Sequence, residues 1–173
     1  MNYKSLPSQN GKNNMGGFTS NAFIAPISAF DVIKPLKSTT LPGDSVTIDG
    51  SHTFAVDEGF SKVYATLDKS KIDMTLVGDR DGKSFLIKGE IFHPGTEKDA
   101  AEFAAAAKND NFIMIFKESN GKNLQFGSAD LPLIVNPSYS SANIGSGAKG
   151  WKFEFEAWTN QMQFYEGTIT IKA

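Results

Sequence analysis

The chain has 173 residues, long enough for one hydrophobic core, and its 17 Lys+Arg against 19 Asp+Glu leave a formal charge of −2. That balance carries no basic footprint for tight nucleic-acid binding. The absence of cysteine excludes disulfides, thiolate metal sites and cysteine nucleophiles together. No apolar run approaches the roughly 18 residues of a membrane span, and Met1 to Pro7 lacks a secretory hydrophobic stretch. A soluble, unexported protein is the expectation.

Residues 1–20 are polar and glycine-containing (Ser8 to Asn14, then Gly16 and Gly17), too poor in apolar side chains to fold alone, and read as an N-terminal arm. Residues 21–173 read as one domain. A short strand is predicted over Ala22 to Ile27, before Pro35, Pro42 and Gly43 interrupt regular structure. The stretch at about 37–62 reads as a long hairpin or extended loop projecting from the body. Strand candidates then follow at Val63 to Leu67, Ile72 to Val77, Ser84 to Phe92, Phe112 to Lys117, Leu124 to Phe126, Leu131 to Val135, Trp151 to Trp158 and Thr168 to Ile171. Turn signals at Gly78 to Gly82, Ser119 to Gly121 and Gly145 to Gly150 separate several of them.

Ser84 to Phe92 places Phe85, Ile87 and Ile91 on one side and Leu86, Lys88 and Glu90 on the other, the period of a sheet with one wetter face. His93, Pro94 and Gly95 stop it, because proline has no N–H for the ladder. Thr96 is then placed to cap a single helix over about 96–109. Glu97 and Asp99 stand near its positive end, and Ala100 to Ala107 propagate it. Its thin alanine face suits close packing on a sheet or on a neighbouring subunit. Trp151, Phe153, Phe155 and Ala157 alternate with Lys152, Glu154 and Glu156, and burying the three aromatics stabilises by roughly 1.5–3 kcal/mol each. The polar side of that strand fits solvent, a lumen or an intersubunit groove. Many short strands around one helix predict a mainly β fold, a β-sandwich or half-barrel with one flanking α-helix, a long loop and an N-terminal arm.

Candidate chemistry is sparse. Gly82, Lys83 and Ser84 imitate the end of a phosphate loop, but Val77 stands where the first glycine belongs and a strand follows instead of a helix. Asp79, Asp81 and Glu90 match three positions of a calcium loop, yet Lys83 takes a ligand position and Ser84 that of the required glycine. A hairpin turn is the simpler reading. His52 and His93 have no partner at metal-ligand spacing, no Gly-x-Ser-x-Gly elbow exists, and the pairs Asp57/Glu58 and Glu154/Glu156 carry no pocket signal. Neither a catalytic residue nor a cofactor or metal site is predicted.

Phe92 to Thr96, the helix Ala100 to Lys108, Asp110 to Phe116, Asn120-Gly121, Gly127-Ser128, Gly150 to Phe155 and Phe164 to Gly167 together resemble small tail-region virion proteins of tailed bacteriophages, especially those of Bacteroidetes-type bacteria. The order of elements over residues 63–171 also resembles the wider tail-tube architecture; residues 1–60 match it in kind and not in sequence. The resemblance implies a structural protein of the virion tail, assembled in the host cytoplasm, that forms homo-oligomeric (hexameric) rings. The rings stack into a tube with other tail proteins, and genomic DNA passes through its neutral or acidic lumen without specific binding. It further implies that the arm and the 37–62 loop order against neighbouring subunits, with Phe18, Phe23, Ile24 and Phe54 at the interface. Tail terminators and head–tail connector rings share these features. A different class also fits the residues: a β-sandwich carbohydrate-binding module with Trp151, Trp158 and Tyr165 as a sugar platform. Trp151 shares its strand face with Phe153 and Phe155, so Trp158 is the better platform.

Overall fold

A computed structural model describes residues 3–172; Met1, Asn2 and Ala173, which the sequence assigned to the arm and the domain, lie outside the described residues. The fold is mainly β, with one α-helix, as the alternating patterns require. Eleven strands are described: β1 (Phe18–Pro26), β2 (Phe30–Val32), β3 (Thr53–Phe54), β4 (Ser61–Tyr64), β5 (Lys71–Val77), β6 (Ser84–Pro94), β7 (Asn111–Glu118), β8 (Asn123–Phe126), β9 (Leu133–Ser140), β10 (Gly150–Thr159) and β11 (Gln163–Phe164). The helix α1 (Lys98–Ala107) joins β6 to β7.

Nine strands form one sheet in the order β11-β8-β7-β9-β10-β6-β5, with β1 paired to both β7 and β4, and β2 pairs with β3 in a second, two-stranded sheet. The large sheet curls around one core. Ala22 and Ile24 of β1, Phe112, Met114 and Phe116 of β7, Phe126 of β8, Val135 of β9, Phe153 and Phe155 of β10, and Ile87 and Ile91 of β6 all face into it. Ala104 and Ala107 of α1 pack there too, and Phe103 meets Phe153 edge to face at 5.3 Å. The alanine face thus lies on this chain's own sheet. At Gly89, opposite Phe155, a Cβ would stand 2.5 Å from the Phe155 ring and 2.5 Å from the Lys71 carbonyl, so the ring covers the glycine.

A second cluster covers the other face of β1 and β7. Ala25, Ile113 and Ile115 pack there with Ile48, Phe60 and Tyr165, flanked by Phe23, Phe30, Phe54 and Ile169. The 37–62 segment therefore does not project. Its backbone is held by Lys37 N–H to Thr47 O (2.8 Å), Ile48 N–H to Phe164 O (2.9 Å) and Phe60 N–H to Thr170 O (2.8 Å), and Ile48, His52 and Phe60 are buried. The reason is spacing: these residues recur too irregularly to read as a strand, yet each reaches apolar surface that β7 leaves uncovered.

Other boundaries differ from expectation. β1 begins at Phe18, inside the predicted arm. Glu97, not Thr96, precedes the helix, and neither residue makes a side-chain cap. Gly95 holds a φ of 102° and donates its N–H to Lys149 O (3.1 Å), which delays the helical turn. Thr168 to Ile171 is not a strand, because Ile171 meets the sheet only through one bridge to Phe60; the last strand is β11 instead.

Candidate functional site

Four regions carry chemistry or uncovered surface. The first is the arm. Residues 3–17 are all exposed, and Tyr3, Leu6 and Met15 are 93%, 94% and 70% exposed. Two hydrogen bonds tie its base to the β7–β8 turn: Asn13 Nδ2 to Ser119 O (3.2 Å) and Ser119 Oγ to Met15 O (2.9 Å). Among the described residues, the apolar side chains of this otherwise polar arm find no partner surface. Where the arm meets the body, Phe18 packs edge to face on Phe116 (4.8 Å), beside a cleft of about 360 Å³ that Ile72 and Met74 of β5 also line. β5 has a neighbour on one side only, so its other edge is an unpaired ladder of N–H and C=O groups.

The sequence-predicted interface residues fall differently. Ile24 is 2% exposed and belongs to the main core, so it offers no surface to a second subunit. Phe23 and Phe54 are half-buried against the second cluster, where Phe54 lies 4.5 Å from Phe30 and 5.1 Å from Phe60. Phe18 is half-buried at the cleft. Aromatic pattern alone could not separate an interface from an intramolecular second layer.

The second region is the outer face of β5, β6, β10 and β9. Register places Lys71, Glu90, Glu154 and Asn136 in one row across the strands and Asp73, Lys88, Glu156 and Ile134 in the next. Lys152 donates to both Glu154 (2.7 Å) and Glu90 (2.9 Å), and these bonds raise its pKa above the ordinary lysine value. Lys88 meets Glu156 at 3.8 Å and Lys71 meets Asp73 at 3.3 Å. Three lysines (Lys71, Lys88, Lys152) stand against four carboxylates (Asp73, Glu90, Glu154, Glu156), so the face sums to −1. It is a charge-paired, weakly acidic surface.

The third region is a buried polar network that local sequence did not reveal. The Lys34 backbone N–H donates to His52 Nδ1 (3.0 Å), which leaves the ring proton on Nε2 to donate to Gln125 Oε1 (2.7 Å). Gln125 Nε2 donates to Gly127 O (3.3 Å). The His52 backbone N–H donates to Tyr165 Oη (3.2 Å), and that hydroxyl donates to Thr168 O (2.9 Å). The imidazole stacks on Tyr165 at 5.0 Å. Burial lowers the His52 pKa, with Lys34 adding to that effect and the Gln125 bond opposing it; burial raises that of Tyr165. Both ring nitrogens of His52 are occupied, so it is a clip between the two layers. Its partners come from positions 34, 125 and 165, a spread with no local signal.

The fourth region surrounds Trp158, which is 47% exposed at the end of β10. It borders a cleft of about 250 Å³ with Leu131, Asp130, Asn160 and Gln163, and buried Gln125 reaches the same cleft. Of the other two platform residues, Tyr165 is buried under His52 and Trp151 packs between Tyr139 (5.4 Å) and Phe153 (6.4 Å). Only Trp158 remains available.

The motif fragments resolve as turns. Val77 pairs with Ser84, so Gly78 to Lys83 is the tip of the β5–β6 hairpin, with Gly82 N–H on Asp79 O (3.1 Å). His93 Nδ1 meets Tyr64 O at 3.2 Å. Glu58 pairs with Lys172 (2.8 Å). Among the described residues no group of three His, Cys, Asp or Glu side chains is placed to hold a metal, and no helix is long and apolar enough to cross a membrane. No protein-family model, curated protein or solved structure matches the chain.

Proposed function

We propose that this chain is a structural subunit that assembles with copies of itself, in the ring-and-tube manner of the bacteriophage tail proteins it resembles. The observation that carries the reading is the arm. Tyr3 and Leu6 are almost fully exposed on a segment that, among the described residues, is tied to the body only at its base. In an isolated chain that surface stays in water; on a neighbouring subunit it is buried at roughly 25 cal/mol per Å². The unpaired edge of β5 favours the same outcome, since sheet edges are satisfied when subunits join.

In this reading the charge-paired face of β5, β6, β10 and β9 lines the conduit. A face summing to −1 repels a polyanion weakly and offers no free lysine cluster to hold it, so genomic DNA slides past. Other virion tail proteins would meet the ends of the stack, and the assembled particle, not the free subunit, is the working form. No catalytic step or cofactor belongs to it.

Negative-stain electron microscopy across a concentration series, with light scattering for mass, tests the proposal on the full chain and on a variant lacking residues 1–12. Rings or tubes of uniform width from the full chain, lost on removing the arm, support it. A monomer at every concentration, unchanged by the deletion and by added tail components, overturns it.

A further inference from the structure

We propose that the Trp158 cleft binds the neutral sugar ring of a polysaccharide. The inference does not rest on self-assembly: no residue of the arm or of β5 lines the cleft, although Trp158 continues the outer face of β10 beyond Glu156. Three features select this ligand class.

The first is the wall. A pyranose presents an apolar face of C–H groups, which needs a large flat apolar surface open to solvent. Trp158 is that surface, and Leu131, 43% exposed, stands beside it. The second is the set of free polar groups. Among the described residues, no hydrogen bond within the chain occupies the side chains of Asp130, Asn160 or Gln163, and all three line the cleft. Amides and a carboxylate offer the paired donors and acceptors that adjacent sugar hydroxyls require. Gln125, at 2% exposure, lies in the lining as well; it gives its Oε1 to His52 and one amide hydrogen to Gly127 O, which leaves its second N–H without a partner in the chain. The third is charge. No lysine or arginine lines the cleft, which disfavours phosphate, sulfate and nucleotide ligands, and the lone carboxylate fits hydroxyl donors. At about 250 Å³ it falls just below the ~300–1,000 Å³ usual for small-molecule sites, a size for one ring of a longer chain.

The test is NMR titration of the ¹⁵N-labelled full chain with cellobiose, maltose, lactose and N,N′-diacetylchitobiose, with choline and inorganic phosphate as charged controls. The resonances to follow are the Trp158 indole N–H, assigned by its absence in Trp158→Phe, and the Gln163 side-chain amide. At least one disaccharide is expected to shift both saturably, and Trp158→Ala and Gln163→Ala each weaken that binding by about tenfold or more. Unchanged thermal midpoints show that the variants remain folded; if Trp158→Ala does not fold, Gln163→Ala carries the comparison. Silence with all four disaccharides, or shifts with choline alone, overturns the proposal.

Discussion

Strands β7 and β10 are both long and central, and they differ in what covers their second face. β10 alternates buried Phe153, Phe155 and Ala157 with Lys152, Glu154 and Glu156, so one face packs on the core and the other meets water. In β7, Phe112 to Phe116 are buried without a break. Phe112, Met114 and Phe116 face the main core, while Ile113 and Ile115 face the second cluster built from residues 23–60 and 165–169. An unbroken apolar strand in an antiparallel sheet therefore announces a second layer. The loop expected to project is that layer.

The sharpest way to break the comparison is to place the same charge on each strand. Ile115→Asp buries an unpaired carboxylate between two packed layers and should cost more than about 4 kcal/mol, enough to abolish the cooperative unfolding transition. Glu156→Ala, on the wet face of β10, should shift the urea midpoint by less than about 0.5 kcal/mol equivalent. Equal effects would mean that the second layer does not cover β7.

His52→Ala ranks next. It strands the Lys34 N–H and Gln125 Oε1 and leaves Tyr165 unsupported, so a loss of about 3 kcal/mol is expected in equilibrium unfolding. Acid should weaken the same clip. Burial holds the folded pKa of His52 below its ordinary 6.5, so the unfolded chain binds a proton first. Its contribution is fully present above pH 6.5 and falls as pH drops from 6.5 through the lowered folded value. Thermal midpoints measured between pH 8 and pH 5 should decline over that window in the wild type and show less decline in His52→Gln.

Phe23→Ala comes third. The ring flanks the second cluster and is half-buried, which predicts a loss of about 2 kcal/mol by chemical denaturation. The sequence placed Phe23 on an intersubunit surface, where the substitution would leave the melt unchanged and disrupt only assembly.

These outcomes bear on how much was legible in the sequence. β6 and β10 were readable because period-two alternation is a local signal, and the helix because alanine and acidic residues follow it closely. The hairpin at Gly78 to Lys83 was readable from its turn residues. The second layer was not, since Ile48 and Phe60 pack with Ile113 and Ile115 of a strand more than fifty residues away. For the same reason Phe23, Ile24 and Phe54 read as surface aromatics and aliphatics awaiting a partner, when the partner lies within the chain. Trp158 is exposed at the end of β10, but the amides that line its cleft come from the β8, β10–β11 and β11 segments and needed the fold to bring them together.

A last and modest effect tests whether the outer face of β10 is as wet as the comparison requires. Glu90 and Glu154 stand directly opposite each other on neighbouring strands, and Lys152 bonds both. In Lys152→Met the two carboxylates face each other without a cation, so the loss arises from repulsion as well as from the missing pairs. Because the group is half-exposed, screening keeps the total under about 1 kcal/mol, and it should shrink further as salt is raised. Glu90→Gln in the same background removes the repulsion and should recover most of the loss, a coupling that a double-mutant cycle reads directly. A salt-independent loss well above about 2 kcal/mol would instead show a desolvated ion cluster. β10 would then be covered on both faces as β7 is, and a charged face lining an open conduit could not be maintained.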